Sequence, residues 1–270
     1  MSLKFISKIN AKIAPSNKER RHIDDFGQKT QKKNEDGFFK TILFAIVLAT
    51  IIRSFLFEPF HIPSSSMKST LLIGDYIFVS KFSYGYSKYS FPFSPNLFSG
   101  RIFESNPKRG DIVVFRLPSN PDINYIKRLI GLPGDQIKVT DGQLFINEKA
   151  VAKEYVDDFI DADNSKIKRF VEILPDILPE GRKIQVLDQF PDTPQDNTGV
   201  YVVPKGHYFM MGDNRDNSQD SRFLSAVGYI PEENLVGRAK IIFFSCEPSF
   251  WQFWNWGKSI RWSRIFQYLN

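Results

Sequence analysis

Three consecutive serines, Ser64, Ser65 and Ser66, lie within the run Pro63–Leu71 and offer hydroxyl groups that could act as nucleophiles. A serine hydroxyl is a weak nucleophile and needs a neighbouring base to remove its proton. Taken alone, such a cluster is more often part of a loop or a helix cap. The chemistry therefore depends on which base the rest of the chain brings to these serines.

Histidine is the usual base for a serine, but this chain offers poor candidates. His22 lies in a basic N-terminal arm, and no orienting motif accompanies His61 or His207. Lys127 lies instead in the apolar run Tyr125–Ile130, where burial would disfavour the ammonium form and lower its pKa. A drop of about three units would cost about 4 kcal/mol. The alternative is an edge-strand lysine that prevents aggregation.

A third segment, the polar run Gly212–Arg222, follows the hydrophobic segment His207–Met211. By itself it could be a solvated turn with ion pairs. In order and wording, the three segments together resemble type I signal peptidases, which are Ser/Lys serine proteases. The resemblance covers most of the chain outside residues 1–37, 83–100 and 148–199, and it extends to several shorter runs: Glu58-Pro59-Phe60, Gly74-Asp75, Arg109-Gly110-Asp111 and Leu235–Ala239.

The resemblance implies catalytic roles for three residues. Ser66 corresponds to the nucleophile and Lys127 to the general base. Ser64 corresponds to a serine whose hydroxyl helps to form the oxyanion hole, together with the backbone N–H of Ser66. The family uses no metal and no cofactor, so we expect neither here.

The same resemblance implies supporting roles in the third segment. Ser218 corresponds to a serine that orients the lysine, and Asp220 and Arg222 to a structural ion pair near the site. One departure is visible: the family usually has proline where Ser69 stands, before Thr70. Because proline rigidifies a turn, its absence could loosen this loop slightly without touching a catalytic atom.

The substrates that the resemblance implies are signal peptides of exported preproteins, cut after small residues of the Ala-x-Ala type. Such a peptide would bind as an extended strand along the serine and lysine segments. Small residues require shallow apolar pockets, and five residues occupy the corresponding positions: Phe60, Ile62, Leu71, Ile77 and Ile126. Ordinary core packing is the alternative for these five, and it is compatible with forming a pocket wall.

An apolar stretch precedes the serine segment and predicts a membrane anchor. Residues 38–57 form the most apolar window, with no charge from Thr41 to Ile52 and with Lys40 and Arg53 near its ends. At about 1.5 Å per residue, this stretch matches a hydrocarbon core of about 30 Å. The alternative is a buried helix of a soluble protein. A cleaved signal peptide fits poorly, because no small-x-small site follows.

The net charge of +6 comes from the N-terminal arm and Arg53. Residues 1–40 contain ten basic and five acidic residues, and the part from Glu58 onward is neutral overall. This distribution argues against nucleic acid as a partner. The positive-inside rule places residues 1–37 in the cytoplasm and the rest outside. We therefore expect a single-pass protein of the bacterial plasma (inner) membrane, in contact with lipid and working near the secretion translocon.

After the anchor, short strand patterns with turn signals predict a mainly β, antiparallel core with an inserted smaller subdomain. The dipeptide Asp141-Gly142 predicts a tight hairpin. The predicted strands are Asp75–Ser80, Asp111–Arg116, Ile123–Ile130, Gln136–Thr140, Gln143–Asn147, Val200–Val203, His207–Met211 and Leu235–Phe244.

Composition divides the part after the anchor. Residues 58–147 and 200–250 form the predicted catalytic core, and 148–199, rich in Asp, Glu, Lys and Pro, an insertion. The tail 251–270 contains all four tryptophans and shows helical spacing, which fits either a membrane-interface segment or a helix packed on the domain. The single cysteine, Cys246, excludes an intramolecular disulfide and, with only three histidines, argues against a structural zinc site.

Three other functions remain open. A self-cleaving repressor would need a DNA-binding domain, for which residues 1–37 are too short and too polar. A conjugation-linked maturation peptidase would differ only in its substrate. A noncatalytic anchored β protein that binds peptides would have no need of Ser66, Lys127 and Ser218.

Overall fold

The structure, a computed structural model, describes residues 37–96, 98–161, 163–175, 181–190, 193–247 and 259–269. It confirms the mainly β, antiparallel architecture behind one N-terminal apolar helix. The chain divides between Ile51 and Ile52 into two compact units. The site residues all lie in the second unit.

Helix α1 spans Gly37–Phe55 and is long and apolar enough to cross a membrane. Two hydroxyl groups inside it bond to backbone oxygens one turn earlier: Thr41 Oγ1 to Gly37 O, and Thr50 Oγ1 to Ile46 O. Satisfying polar groups within the helix suits a lipid environment. The helix ends two residues before the predicted end of the anchor, because Phe57 already begins strand β1.

The main sheet carries both the serine and the lysine segments. Its order is β1-β2-β14-β3-β4-β12-β13, with β15 beside β14, and its pairs are antiparallel. Its strands are β1 (Phe57–His61), β2 (Asp75–Ser80), β3 (Ile112–Leu117), β4 (Asn120–Gly131), β12 (His207–Met211), β13 (Ile230–Pro231), β14 (Leu235–Ser245) and β15 (Gln267–Tyr268).

Two smaller sheets complete the β structure of the described residues. One has the order β11-β5-β6-β7 and the other β10-β9-β8, which lies within residues 148–199. Their strands are β5 (Gln136–Thr140), β6 (Gln143–Ile146), β7 (Lys149–Ala150), β8 (Ala152–Ile160), β9 (Lys166–Leu174), β10 (Arg182–Leu187) and β11 (Tyr201–Val202).

The strand predictions hold for all eight predicted strands, with some differences at their ends. β2, β5 and β12 have the predicted bounds, and the other five predicted strands differ by one to three residues at an end. The hairpin is confirmed at Asp141 and Gly142, whose φ angles of 50° and 69° suit a turn with two left-handed residues. β1, the four strands β7 to β10 of the insertion, β13 and β15 were not predicted.

The core beneath the serine segment fixes the position of the nucleophile candidate. Met67, the residue after Ser66, is fully buried in a cluster with Leu71, Ile77 and Val114. Phe60 and Ile126 are partly buried and pack against this cluster. Because the Met67 side chain is closely packed in the core, it holds the backbone beside Ser66 against the sheet.

Residues 260–269 do not form the C-terminal helix that was one of the two alternatives for the tail. A 3-10 turn at Trp262–Arg264 leads into β15, which pairs with Ile241 and Ile242 of β14. Leu269 is buried, whereas Trp262 is exposed. The helical spacing is therefore wrong as a predictor here, because the exposed edge of β14 captures the chain as a strand. Residues 251–258 lie outside the described residues.

Candidate active site

Ser66 lies in a tight turn that follows β1. Lys68 N–H donates to Ser65 O at 2.9 Å and Leu71 N–H to Met67 O at 2.8 Å, so the segment is wound into turns. Only 7% of Ser66 is exposed. The segment thus presents the Ser66 hydroxyl at the edge of the core.

Lys127 comes to the same point from β4, where it pairs in register with Val113 of β3. It is buried, and its Nζ lies 2.6 Å from Ser66 Oγ and 3.2 Å from Ile126 O. Within the described residues, Lys127 forms no ion pair with a carboxylate. The structure therefore brings the candidate nucleophile and base into direct contact.

Burial lowers the pKa of Lys127 from 10.5 to about 8, although Asp220 and Asp213 act in the opposite direction. At pH 7, about one lysine in ten with that pKa is neutral, compared with a few in ten thousand at the ordinary value. The ring of Tyr125 lies 5.1 Å from Nζ. A cation–π contact of this kind favours the charged amine and limits the pKa shift.

Ser64 stands beside the pair. Its Oγ lies 3.4 Å from Ser66 Oγ, and the residue is exposed to the cleft. The serine segment is held from behind: Asn217 Nδ2 donates to Ser65 Oγ at 2.9 Å, and Asn214 N–H donates to Ser66 O at 3.1 Å. A hydroxyl donor thus lies next to the nucleophile candidate on a supported backbone.

Ser218, Asp220 and Arg222 lie together in the third segment. Arg222 Nε and Nη2 each lie 2.9 Å from an oxygen of Asp220, in a buried ion pair. Burial acts to raise the pKa of Asp220, but Arg222, the Gly212 N–H and Ser218 lower it below its ordinary value. Within the described residues, the buried Ser218 hydroxyl has no partner at full hydrogen-bond geometry.

Gly212 is the point where the serine segment and the third segment touch. A Cβ added there would lie 2.2 Å from Ser218 Oγ and 2.5 Å from Ser66 O. Any larger residue at this position would push the two segments apart. The glycine is therefore required by close approach of side chain and backbone.

Arg128 and Asp213 had no role in the interpretation of the sequence. Arg128 Nε and Nη2 donate to the two oxygens of Asp213 at 2.7 Å each, and both side chains are buried. Thr70 Oγ1 bonds to Asp213 at 2.5 Å, so this pair ties all three segments together. The sequence did contain a signal for Arg128, which is a second charged residue inside an apolar run. A buried cation needs a partner, so this position predicts an acidic residue nearby.

A cleft of about 570 Å³ opens over the pair. Phe60, Ile62 and Ile126 line it, whereas Leu71 and Ile77 are fully buried in the core cluster beneath. Three of the five expected residues therefore line the cleft, together with apolar residues that were not expected: Pro63, Val114 and Ile123. Polar residues also line the cleft: Asn124, Asn217 and Gln219.

A group of carboxylates lies elsewhere, at Asp188, Asp196 and Asp216. None of the three lines the cleft. Lys153 forms an ion pair with Asp188, and the backbone N–H groups of Gln189 and Phe190 donate to Asp216. The Thr193 N–H donates to Asp196 Oδ2 at 2.8 Å, so protein groups already partner all three carboxylates.

Comparison with known proteins gives concordant matches. A family model described as signal peptidase, peptidase S26, matches residues 36–244. Signal peptidase I of Rickettsia typhi is 43% identical over 251 residues, or 86% of this chain and 92% of the relative. The Rickettsia prowazekii signal peptidase I is 41% identical over 265 residues, or 91% and 97%. A crystal structure of an Enterococcus faecalis signal peptidase I is 26% identical, covering 50% of this chain and 97% of that one, with a TM-score of 0.30.

Proposed function

The chain belongs to the signal peptidase family, peptidase S26, and we propose that it cleaves signal peptides with Ser66 as nucleophile and Lys127 as general base. The relatives establish the class of enzyme, a signal peptidase I that processes signal peptides. The observation that supports the two residue roles is the 2.6 Å contact between Lys127 Nζ and Ser66 Oγ in a buried site.

Neutral Lys127 accepts the proton of Ser66 as its oxygen attacks the scissile carbonyl carbon. The C–N bond then breaks, the leaving amine takes that proton from the lysine, and the signal peptide stays on Ser66 as an ester. A water molecule, deprotonated by the same lysine, attacks the ester and releases the acid. Ser66 recovers its proton from Lys127, so one amine serves both halves of the reaction.

Charge on the carbonyl oxygen needs donors in place before the reaction begins. We assign this role to the Ser66 backbone N–H and the Ser64 hydroxyl, which lies 3.4 Å from Ser66 Oγ. Ser218 would orient the lysine, and its buried hydroxyl lies close to Gly212 and interacts with Asp220. The Asp220–Arg222 pair would keep Ser218 in place, and it needs no contact with substrate.

The substrate would bind as an extended strand in the cleft. β12 pairs with β4 only between Arg128 and Gly131, and β1 is the terminal strand of the main sheet. Within the described residues, these are open backbone edges on the two walls, which suit strand addition. Phe60, Ile62 and Ile126 would form the shallow apolar pocket for Ala-x-Ala sequences, and Leu71 and Ile77 would support it from the core.

The helix Gly37–Phe55 and the relatives fit a single-pass protein of the inner membrane. We further propose that the N-terminal arm is cytoplasmic and that the catalytic unit faces the outer side, as the charge bias indicates. Enzyme and preprotein would then share one membrane surface beside the translocon, which raises their effective concentration.

Cleavage of a preprotein in detergent by wild type, Ser66→Ala and Lys127→Ala tests the two roles. We expect both variants to lose activity by at least about a thousandfold, because neither the nucleophile nor its base can be replaced. A chelator should leave the wild type unaffected. Equal cleavage by all three proteins would refute the assignment, and inhibition by the chelator would indicate a metal enzyme.

A further inference from the structure

The inserted sheet β8–β10 contacts both loops that carry the proposed catalytic groups. On the nucleophile side, Lys68 Nζ lies 2.5 Å from Asp161 Oδ2, and Ser69 Oγ donates to Gln185 O at 2.9 Å. Lys68 is two residues after Ser66, and Asp161 lies in the turn between β8 and β9. The insertion thus reaches the loop that presents the nucleophile.

The same sheet also grips the segment that leads to Ser218. Arg215 donates through Nη1 and Nη2 to the two oxygens of Glu172 on β9, at 2.6 Å each, and both side chains are buried. Leu187 of β10 adds two backbone bonds: its N–H donates to Asp213 O at 2.7 Å, and its O accepts from Arg215 N–H at 2.9 Å. One small sheet therefore holds both loops.

The nucleophile loop has a particular need for this support. Ser69 has a φ of 100°, a region that residues other than glycine rarely adopt. A proline ring fixes φ near −65°, so proline cannot stiffen this backbone as it stands. The loop is held instead by side chains, and the contacts of Lys68 and Ser69 on the insertion are two of them.

The turn that supplies Asp161 is itself well ordered by hydrogen bonds. Asp161 N–H donates to Ser165 O at 2.9 Å, and Asn164 N–H donates to Asp161 O at 3.0 Å. The carboxylate is therefore a fixed point to which a flexible lysine is anchored. The two side chains are only 14% and 23% exposed, so their pair is partly shielded from solvent and holds Lys68 Nζ at one place on the insertion.

We propose that the sheet β8–β10 is a positioning element for the two catalytic loops, and that the Lys68–Asp161 ion pair is its contact with the nucleophile loop. This inference rests on the proposed roles of Ser66 and Lys127. Without the pair, Ser66 samples positions farther from the base, and the rate of acylation falls. Substrate binding along the cleft walls does not involve either side chain, so KM stays the same.

The test is steady-state cleavage of a preprotein by the full-length enzyme in detergent. Asp161→Asn and Lys68→Met should each lower kcat about fivefold with KM unchanged, because small displacements of a nucleophile are costly. The charge reversal Lys68→Asp with Asp161→Lys should recover at least half of the lost kcat. The melting temperature should be the same in all of them.

Asp157→Asn is the matched control, because Asp157 forms an ion pair with Arg169 on the same hairpin and contacts neither loop. It should retain the wild-type kcat. Unchanged kcat in Asp161→Asn, an equal loss in Asp157→Asn, or no recovery on charge reversal would each overturn the positioning role. Retained activity of Ser66→Ala would instead overturn the proposed function, so the two failures are distinguishable.

Discussion

Two lysines of this protein are equally buried but have different surroundings. Lys127 and Lys81 are 4% and 3% exposed. Lys81 Nζ lies 2.8 Å from Glu58 Oε2 and donates to Ser90 O at 2.7 Å, whereas Lys127 faces a serine hydroxyl. Burial lowers the pKa of both, but Glu58 acts against that shift at Lys81. Burial therefore does not distinguish the two lysines; within the described residues, only Lys81 of the two forms an ion pair with a carboxylate.

The two lysines also differ in what their burial costs the folded protein. A buried ammonium with a carboxylate and a carbonyl partner has replaced most of its hydration, so Lys81 can remain charged. In the part of the chain that the structure describes, Lys127 forms no such ion pair, and the folded protein bears the cost of its charged form below pH 8. That cost is about 3 kcal/mol at neutral pH. We interpret this cost as a lower free energy of unfolding that accompanies a neutral amine beside the proposed nucleophile.

The largest test of this comparison is Lys127→Met. We expect loss of cleavage by at least about a thousandfold, together with a free energy of unfolding that is higher by up to about 3 kcal/mol at pH 7, because the charged amine is gone. Preprotein cleavage and urea unfolding measure the two effects. A variant that is both inactive and less stable than wild type would contradict the idea that burial strains Lys127.

Glu58→Gln would make the surroundings of Lys81 resemble those of Lys127. We expect the free energy of unfolding to fall by about 2 kcal/mol at pH 7, because a buried ammonium loses its charged partner. The pKa of folded Lys81 would fall further below that of the unfolded chain, so stability should recover as the pH rises towards 10. Urea unfolding across that range measures both, with wild type as reference. Unchanged stability would show that Lys81 does not depend on Glu58.

The smallest expected effect is in the pH profile of the wild-type enzyme. Since Lys127 must be neutral and its pKa is about 8, kcat/KM should rise about tenfold per pH unit below 8 and level off above it. The same profile is expected for Glu58→Gln, whose change lies at the other lysine. A rate that falls as pH rises from 6 to 8 would exclude a neutral lysine as base.

The sequence predicts local features of this molecule well. β5 follows from alternation over a few residues, β2 and β12 follow from short apolar runs, and Lys127 was recognisable as a charge within an apolar run. The hairpin at Asp141-Gly142 needed only two residues. In each of these cases the determining pattern lies within one element, so no partner had to be known.

The other features of the fold and the site depend on contacts between residues that are distant in the sequence. Nothing near Lys81 in the sequence indicates that Glu58 neutralises it and that Lys127 has no such partner. Leu71 and Ile77 looked suitable for a pocket wall, yet the packing of the main sheet over them decides that they are covered. The tail failed for a similar reason, because the spacing of its apolar residues says nothing of the open edge of β14.

The contacts of Arg261 and Arg264 bear on the order in which this protein folds during its synthesis. Arg264 donates to Thr70 O at 2.9 Å and pairs with the fully buried Asp75, which Arg261 also contacts. The turn that follows Ser66 is thus secured by side chains that are synthesised after both Ser66 and Lys127. A growing chain that already holds these two residues still lacks Arg261 and Arg264, so this turn is completed only after they have been made.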